Sequence, residues 1–246
     1  MDLQEVVMSL KDKRIVVLGG TSGLGFATAE AAAREGAQVV VASSSQDRVS
    51  RALAALPDGS GGHVVDLTDE AQVSQFFEQL GAFDHLVYTA GDSLLLNDFA
   101  STPLAEARRA FDVRFWGAVT AVKYGAPHIR TGGSIVLTTG IAAQRPPKGW
   151  VVPSSILGAM EALTRALATE LAPIRVNIVS PGVVKTAKWD QLPGDTKEVL
   201  YQDVGAKLLV GRVGEAAEVA ETYLYLMRQT YSTGQVVIVD GGGVLV

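Results

Sequence analysis

Arg14-Ile15-Val16-Val17-Leu18, running into Gly19-Gly20-Thr21-Ser22-Gly23-Leu24-Gly25, decides the fold. The unbroken apolar run from Ile15 to Leu18 suits a strand buried on both faces. Glycines then fall at Gly19, Gly23 and Gly25, a G-x-x-x-G-x-G spacing, and a helix-period, Ala-rich stretch follows from Phe26 to Arg34. So tight a strand-to-helix turn calls for residues without Cβ. Backbone N–H groups can then approach a phosphate at the helix N-terminus, where the helix dipole favours an anion. Placed after the first strand and at the opening of the first helix, the loop reads as a dinucleotide cradle. Gly19, Thr21, Ser22, Gly23, Leu24 and Gly25 are its candidate contacts.

Working outward, the same alternation repeats. Further strands are expected at Gln38–Ala42, His63–Val65, His85–Tyr88, Ser134–Thr138, Arg175–Val179 and Gln235–Val239. Helices are expected at Gln46–Leu56, Glu70–Leu80, about Pro103–Ile129, Ser154–Leu171 and Glu215–Arg228. Apolar strands separated by helices require a parallel sheet covered on both faces. The fold class is therefore α/β: a single doubly wound, Rossmann-type parallel sheet of about seven strands, one domain over residues 1–246. Two stretches break the rhythm, the proline-bearing loop from Thr139 to Pro153 and the long connection from Gly182 to Arg212. Sheets of this kind bind ligands at the carboxyl ends of their strands. These stretches are thus expected to wall a pocket, with a substrate loop or lid at about 183–212.

Composition narrows the partners. The chain has 246 residues, 48% hydrophobic and 19% charged, with no Cys and three His. Disulfides, thiolate metal sites and a cysteine nucleophile are excluded. His63, His85 and His128 are scattered without metal-ligand spacing, so no metal is expected. With 21 basic against 26 acidic residues, nucleic acid is disfavoured. No apolar run reaches the ~20 residues of a membrane span. Met1-Asp2-Leu3-Gln4-Glu5 lacks the features of a signal peptide. A soluble, cytoplasmic protein is the expectation.

At the end of the second strand stand Ser43, Ser44 and Ser45, with Arg48 close behind. An acidic residue here would grip the adenosine ribose hydroxyls and repel a 2′-phosphate. Hydroxyls and a guanidinium instead suit phosphate oxygens. NADP(H) is the preferred cofactor and NAD(H) the alternative. These serines can also serve simply to cap the next helix.

Together these residues resemble the short-chain dehydrogenase/reductase family over essentially the whole chain. Val65-Asp66-Leu67 is similar to its adenine-contacting pair, with Asp66 and Leu67 as the contacts. Ala90-Gly91 matches the end of its Asn-Asn-Ala-Gly motif, whose first Asn position is taken by Tyr88. Arg175-Val176-Asn177 and the stretch from Ser180-Pro181-Gly182 to Thr186 match its sixth-strand and nicotinamide-side signatures. In that stretch Pro181, Gly182, Val184 and Thr186 are candidate contacts. Gly211 to Glu215, Thr233-Gly234-Gln235 and Asp240-Gly241-Gly242 match the C-terminal signatures. The resemblance implies an NAD(P)-binding oxidoreductase acting on an unidentified small molecule. It also implies a homo-oligomer, tetramer or dimer, with Gly243 to Val246 buried between subunits.

The chemical half departs from the family. There a Tyr exchanges the substrate proton, and a Lys four residues on lowers its pKa; such a reduction needs an acid beside the oxygen that becomes charged. The stretch from Ala159 to Ala168 sets the register, so the Tyr position falls on Pro153 and the Lys position on Leu157. The family's Ser falls on Gly140 and its helix Asn on Arg114. None of the six tyrosines has a Lys four residues later; Asp92, His128, Gly205, Met227, Gln229 and Gln235 stand there instead. The replacements to weigh are Arg114, Thr139 and Lys148, with Lys185 in the later loop. Arg114 would make the pocket cationic, or would be a structural ion pair. Two functions follow: an NADP(H)-dependent oxidoreductase with an unconventional site, or a non-catalytic NADP(H)-binding sensor, regulatory or partner subunit.

Overall fold

The computed structural model describes residues 9–92, 95–189 and 196–246. The chain opens with β1 (Arg14–Leu18), α1 (Gly23–Arg34), β2 (Gln38–Ser43), α2 (Gln46–Ala55), β3 (Gly61–Val64), α3 (Glu70–Leu80) and β4 (Phe83–Tyr88). It continues through α4 (Leu104–Phe111), α5 (Gly117–Gly125), β5 (Ile129–Thr138), α6 (Val151–Glu170) and β6 (Arg175–Pro181). It closes with β7 (Val184–Lys185), α7 (Thr196–Gly205), β8 (Gly214–Glu215), α8 (Ala216–Arg228) and β9 (Val236–Val239). Seven strands make one sheet in the order β3-β2-β1-β4-β5-β6-β9, every neighbouring pair parallel. This is the expected doubly wound α/β sheet.

Strand periodicity explains why β1 had to be apolar throughout. Val16 and Leu18 face one core, with Phe77, Leu86, Ala121 and Met160 from the α3, β4, α5 and α6 side. Ile15 and Val17 face the other, with Ala29, Ala32, Ala52 and Tyr223 from α1, α2 and α8. Burying each such aliphatic chain contributes about 1.5–3 kcal/mol. After β3 the chain returns to the far side of β1 to form β4. The carboxyl ends of β1 and β4 therefore flank the switch point where such sheets bind ligands. Among the described residues no helix is long and apolar enough to cross a membrane.

Several boundaries differ from expectation. The single helix over Pro103–Ile129 is instead α4, a π-helical turn at Asp112–Trp116, α5, and a 3-10 turn at Ala126–His128. Pro127, without an N–H, cannot extend the α5 ladder. β5 begins at Ile129, well before Ser134, because Gly132 (φ +84°) and Gly133 carry an irregular register against β4. A Cβ at Gly133 would collide with the Asp84 carbonyl, so glycine's weak strand preference hides a strand that close approach demands. Pro153 lies in α6, not in the preceding loop: in the first turn its missing N–H removes no helical bond. The third strand ends at Val64. The connection from Gly182 to Arg212 contains β7, a 3-10 turn at Ala187–Trp189 and α7, and β7 pairs in parallel with β8. Residues 190–195 of the expected lid lie outside the described residues.

Candidate functional site

The glycine loop sits where backbone meets backbone. Gly19 has φ +85°, and a Cβ there would stand 2.5 Å from the Ala90 nitrogen. A Cβ on Gly25 would collide with Thr89 Oγ1 and the Gly19 carbonyl. Gly23, at φ +53°, starts α1 in the left-handed region, and the Thr186 side chain lies 3.6 Å from where its Cβ would be. Thr89 and Ala90 thus bound the loop on the β4 side, and Thr186 approaches it from the segment after β6. Ser22 at the α1 N-cap is extended and does not cap with its side chain, and no acidic residue occupies the first turn. The opening N–H groups of α1 are left for an anion.

At the carboxyl end of β2, Arg48 reaches back over the serines. Its Nε donates to Ser43 Oγ at 3.2 Å and its Nη2 to Ser44 Oγ at 3.2 Å, while Ser45 Oγ caps α2 by accepting the Arg48 N–H. Both the capping role and a basic patch are therefore present. Asp66 accepts the Thr68 N–H at 2.9 Å and the Thr68 hydroxyl at 2.7 Å, fixing the turn after β3, and Leu67 is buried beside it. Pro181 ends β6, and Gly182 packs so tightly that a Cβ would lie 2.8 Å from the Asp240 Cα. The Val184 side chain is buried in the core cluster that includes α8 residues.

A small pocket lies beside this cradle, lined by Asp92, Leu95, Ala110, Arg114, Pro153, Ile156 and Leu157. The expected Tyr, Lys and Asn positions, now Pro153, Leu157 and Arg114, are therefore brought together in space. Its floor is apolar; Pro153, Ile156 and Leu157 are all buried. At the expected Ser position, Gly140 is extended (φ −178°) and a Cβ would sit 3.5 Å from Leu157 Cδ1, so there is room for a side chain that the chain does not supply.

The three candidate replacements have different fates. Arg114 does line the pocket, but not as an unpaired cation: its Nε is 3.5 Å from Asp92 Oδ1 and its Nη2 donates to the Asp92 carbonyl. Burial pulls the guanidinium below its ordinary pKa, and the Asp92 carboxylate and Tyr88 pull it back up. Burying a guanidinium without a carboxylate would cost several kcal/mol, which explains the pairing. Thr139 is buried and its Oγ1 donates to the Leu157 carbonyl at 2.9 Å, so its hydroxyl proton is directed at α6. Lys148 sits exposed in the turn before α6 and does not line the pocket. Lys185 is bound to Glu215 at 2.5 Å.

Asp92 and Gly117 are residues to which sequence reasoning gave no role. The signal for Asp92 was a lone arginine facing an apolar helix, which needs a counter-charge. Tyr88, which takes the family's first Asn position, is buried and donates its hydroxyl to the Val113 carbonyl, and burial raises its pKa far above the ordinary phenol. Tyr223 is likewise buried, its hydroxyl 2.7 Å from Thr138 Oγ1. Among the described residues no three His, Asp or Glu side chains gather as a metal site. His85 is a core residue bonded to Ser134 Oγ at 2.9 Å.

The left-handed glycines, the open α1 N-terminus and the Arg48–serine cluster fit the phosphates of a dinucleotide. The paired Arg114 fits an electrostatic role; Tyr88 and Thr139 donate their hydroxyl protons to backbone carbonyls, and the buried Ser154 hydroxyl, next to Pro153, has no hydrogen-bond partner among the described residues.

A family model described as Enoyl-(Acyl carrier protein) reductase matches residues 19–243. A short-chain dehydrogenase/reductase of Stachybotrys chlorohalonatus is 36% identical over 253 residues, covering 96% of this chain and 99% of that protein. A 3alpha-hydroxysteroid dehydrogenase of Mediterraneibacter gnavus is 34% identical over 95% of this chain and 98% of its own. Among solved structures, a small-chain dehydrogenase in complex with NADPH is similar with TM-score 0.82 and 37% identity, covering 96% of this chain and 100% of that one. A reductase/Diels-Alderase from Malbranchea aurantiaca is similar with TM-score 0.90 and 30% identity, over 96% and 98% of the two chains.

Proposed function

Since the chain belongs to the short-chain dehydrogenase/reductase family, we propose that it is an NADP(H)-dependent reductase that stabilises charge on its substrate with Arg114 and supplies no phenolic acid. NADPH, when bound, provides the hydride. Gly19, Thr21, Ser22, Gly23, Leu24 and Gly25 would hold the pyrophosphate, with Thr186 beside them. Ser43, Ser44, Ser45 and Arg48 would hold the 2′-phosphate; Asp66, Leu67, Ala90 and Gly91 would flank the adenosine side and the strand ends. Pro181, Gly182 and the Val184 backbone would line the nicotinamide side. The NADPH bound to a similar solved protein supports this preference.

One observation carries the chemical reading. Arg114 shares a pocket with Pro153 and Leu157, while the nearby hydroxyls of Tyr88 and Thr139 donate to backbone carbonyls. Such a site can orient an acceptor and stabilise an oxyanion in a poorly hydrated pocket. The final proton then comes from solvent. Conjugated carbonyl compounds fit best: hydride would add to the β-carbon, the C=C electrons would move onto the carbonyl oxygen facing the guanidinium, and the enolate would take a solvent proton at the α-carbon with no acid held beside the oxygen; the name of the matching family model supports the same class. The 183–212 stretch would form the pocket's outer wall. A homo-oligomer is part of this reading, supported by exposed apolar side chains at Leu104, Trp116, Tyr225 and Leu245.

The test is NADPH consumption by wild type and Arg114→Met against conjugated and simple carbonyl panels. Turnover of conjugated acceptors, lost about 100-fold in Arg114→Met, is expected. Equal rates for the two proteins would overturn the assignment.

A further inference from the structure

The turn that carries Arg114 is unusual. Asp112–Trp116 is a π-helical turn, and Gly117 donates its N–H to the Asp112 carbonyl, five residues back. Such turns are rare and are found mostly at functional sites. The end of β4 lies beneath it. The Tyr88 side chain is buried, with its hydroxyl bonded to the Val113 carbonyl inside the turn. A Cβ at Gly117 would stand 2.5 Å from the Tyr88 hydroxyl oxygen and 3.2 Å from the Leu67 carbonyl. The phenol occupies space that an ordinary residue at 117 would need. Three residues on from Tyr88, Gly91 leaves room for the Arg114 guanidinium.

We infer that Tyr88 is a positioning residue: its hydroxyl holds the wide turn at Asp112–Trp116 and so directs Arg114 over Gly91 into the pocket, a role that rests on the function proposed for Arg114. An Asn at position 88 is too short to reach the same carbonyl from the same backbone. Tyr88, Gly91, Arg114 and Gly117 therefore act as one unit, and the change at 114 is inseparable from the change at 88.

Tyr88→Phe keeps the ring and removes only the donor. NADPH affinity, read by fluorescence titration, is expected to stay within about twofold, while turnover falls about tenfold, the size of one lost hydrogen bond. In an Arg114→Met background the same change is expected to cost nothing further. Crystal structures of wild type and Tyr88→Phe give a readout that needs no substrate: the guanidinium should leave Gly91 and the turn should narrow. Should Tyr88→Phe fail to fold, Gly117→Ala pushes on the same hydroxyl from the other side and is expected to displace Arg114 likewise. An unmoved Arg114 in the variant crystal, or a full additional loss in the Arg114→Met background, overturns the inference. A displaced Arg114 in a protein whose wild type reduces nothing upholds the positioning role and overturns the proposed function alone.

Discussion

The Arg114 guanidinium lies directly over Gly91: a methyl group on that α-carbon would stand 2.5 Å from Arg114 Cζ and Nη1. One residue earlier, the Ala90 nitrogen is equally close to where a Cβ on Gly19 would be. The glycine loop and the Arg114 pocket thus meet at two successive residues at the end of β4, one touching each.

That adjacency separates two glycine substitutions. In Gly91→Ala the new methyl meets the far end of the Arg114 side chain rather than backbone, so the fold is expected to survive with about 1–3 kcal/mol lost as the paired guanidinium is displaced. NADPH should still bind and turnover should fall with Arg114 displaced. In Gly19→Ala the methyl meets backbone and φ is +85°, so both stability and NADPH binding should be lost. Thermal unfolding with and without NADPH distinguishes them.

Arg48→Ala should weaken NADPH binding about 10- to 100-fold, the range for a charged hydrogen bond. NADH binding should be unchanged if, as proposed, the Ser43–Ser44–Arg48 cluster holds only the 2′-phosphate. Equal losses for both nucleotides would show that Arg48 merely supports α2.

Thr139→Val removes the hydroxyl that donates to the Leu157 carbonyl. About 1 kcal/mol of stability should go, with turnover unaltered. A large fall in turnover at intact NADPH affinity would make Thr139 the proton donor after all.

His85 gives a pH signature. Burial pushes its pKa down from 6.5 to about 4; the nearby Asp84 opposes this, and Arg175 and Lys13 add to it. Below pH ~6.5 the unfolded chain takes up a proton that the folded protein refuses, so stability is present above that value and is lost as pH falls towards about 4. Between about pH 7 and pH 5 the loss should be about 2 kcal/mol. His85→Asn should remove that part of the slope in urea unfolding.

The sheet was legible because its determinants are local. Ile15–Leu18 must be apolar when both faces are covered, Gly19 and Gly25 are required by close backbone contacts, and Gly23 by its positive φ. The pocket was legible only in outline. Pro153, Leu157 and Arg114 converge as register suggested, but the Asp92 partner depends on a fold-level approach between the β4 end and the turn after α4. The same holds for Thr139, whose reach to Leu157 spans two elements, and for Val184, whose inward face is set by pairing with Gly214. The π-helical turn had no periodic signal, since its five-residue spacing matches neither the helix nor the strand period. Gly132 and Gly133 concealed the start of β5 because propensity argues against glycine where close packing demands it.

The most direct measurement is a fluorescence titration of cofactor-stripped protein with NADPH and with NADH, side by side. The expected result is micromolar or tighter NADPH binding, at least about tenfold tighter than NADH. Equal affinities would contradict the 2′-phosphate assignment, and no binding of either would contradict the account as a whole.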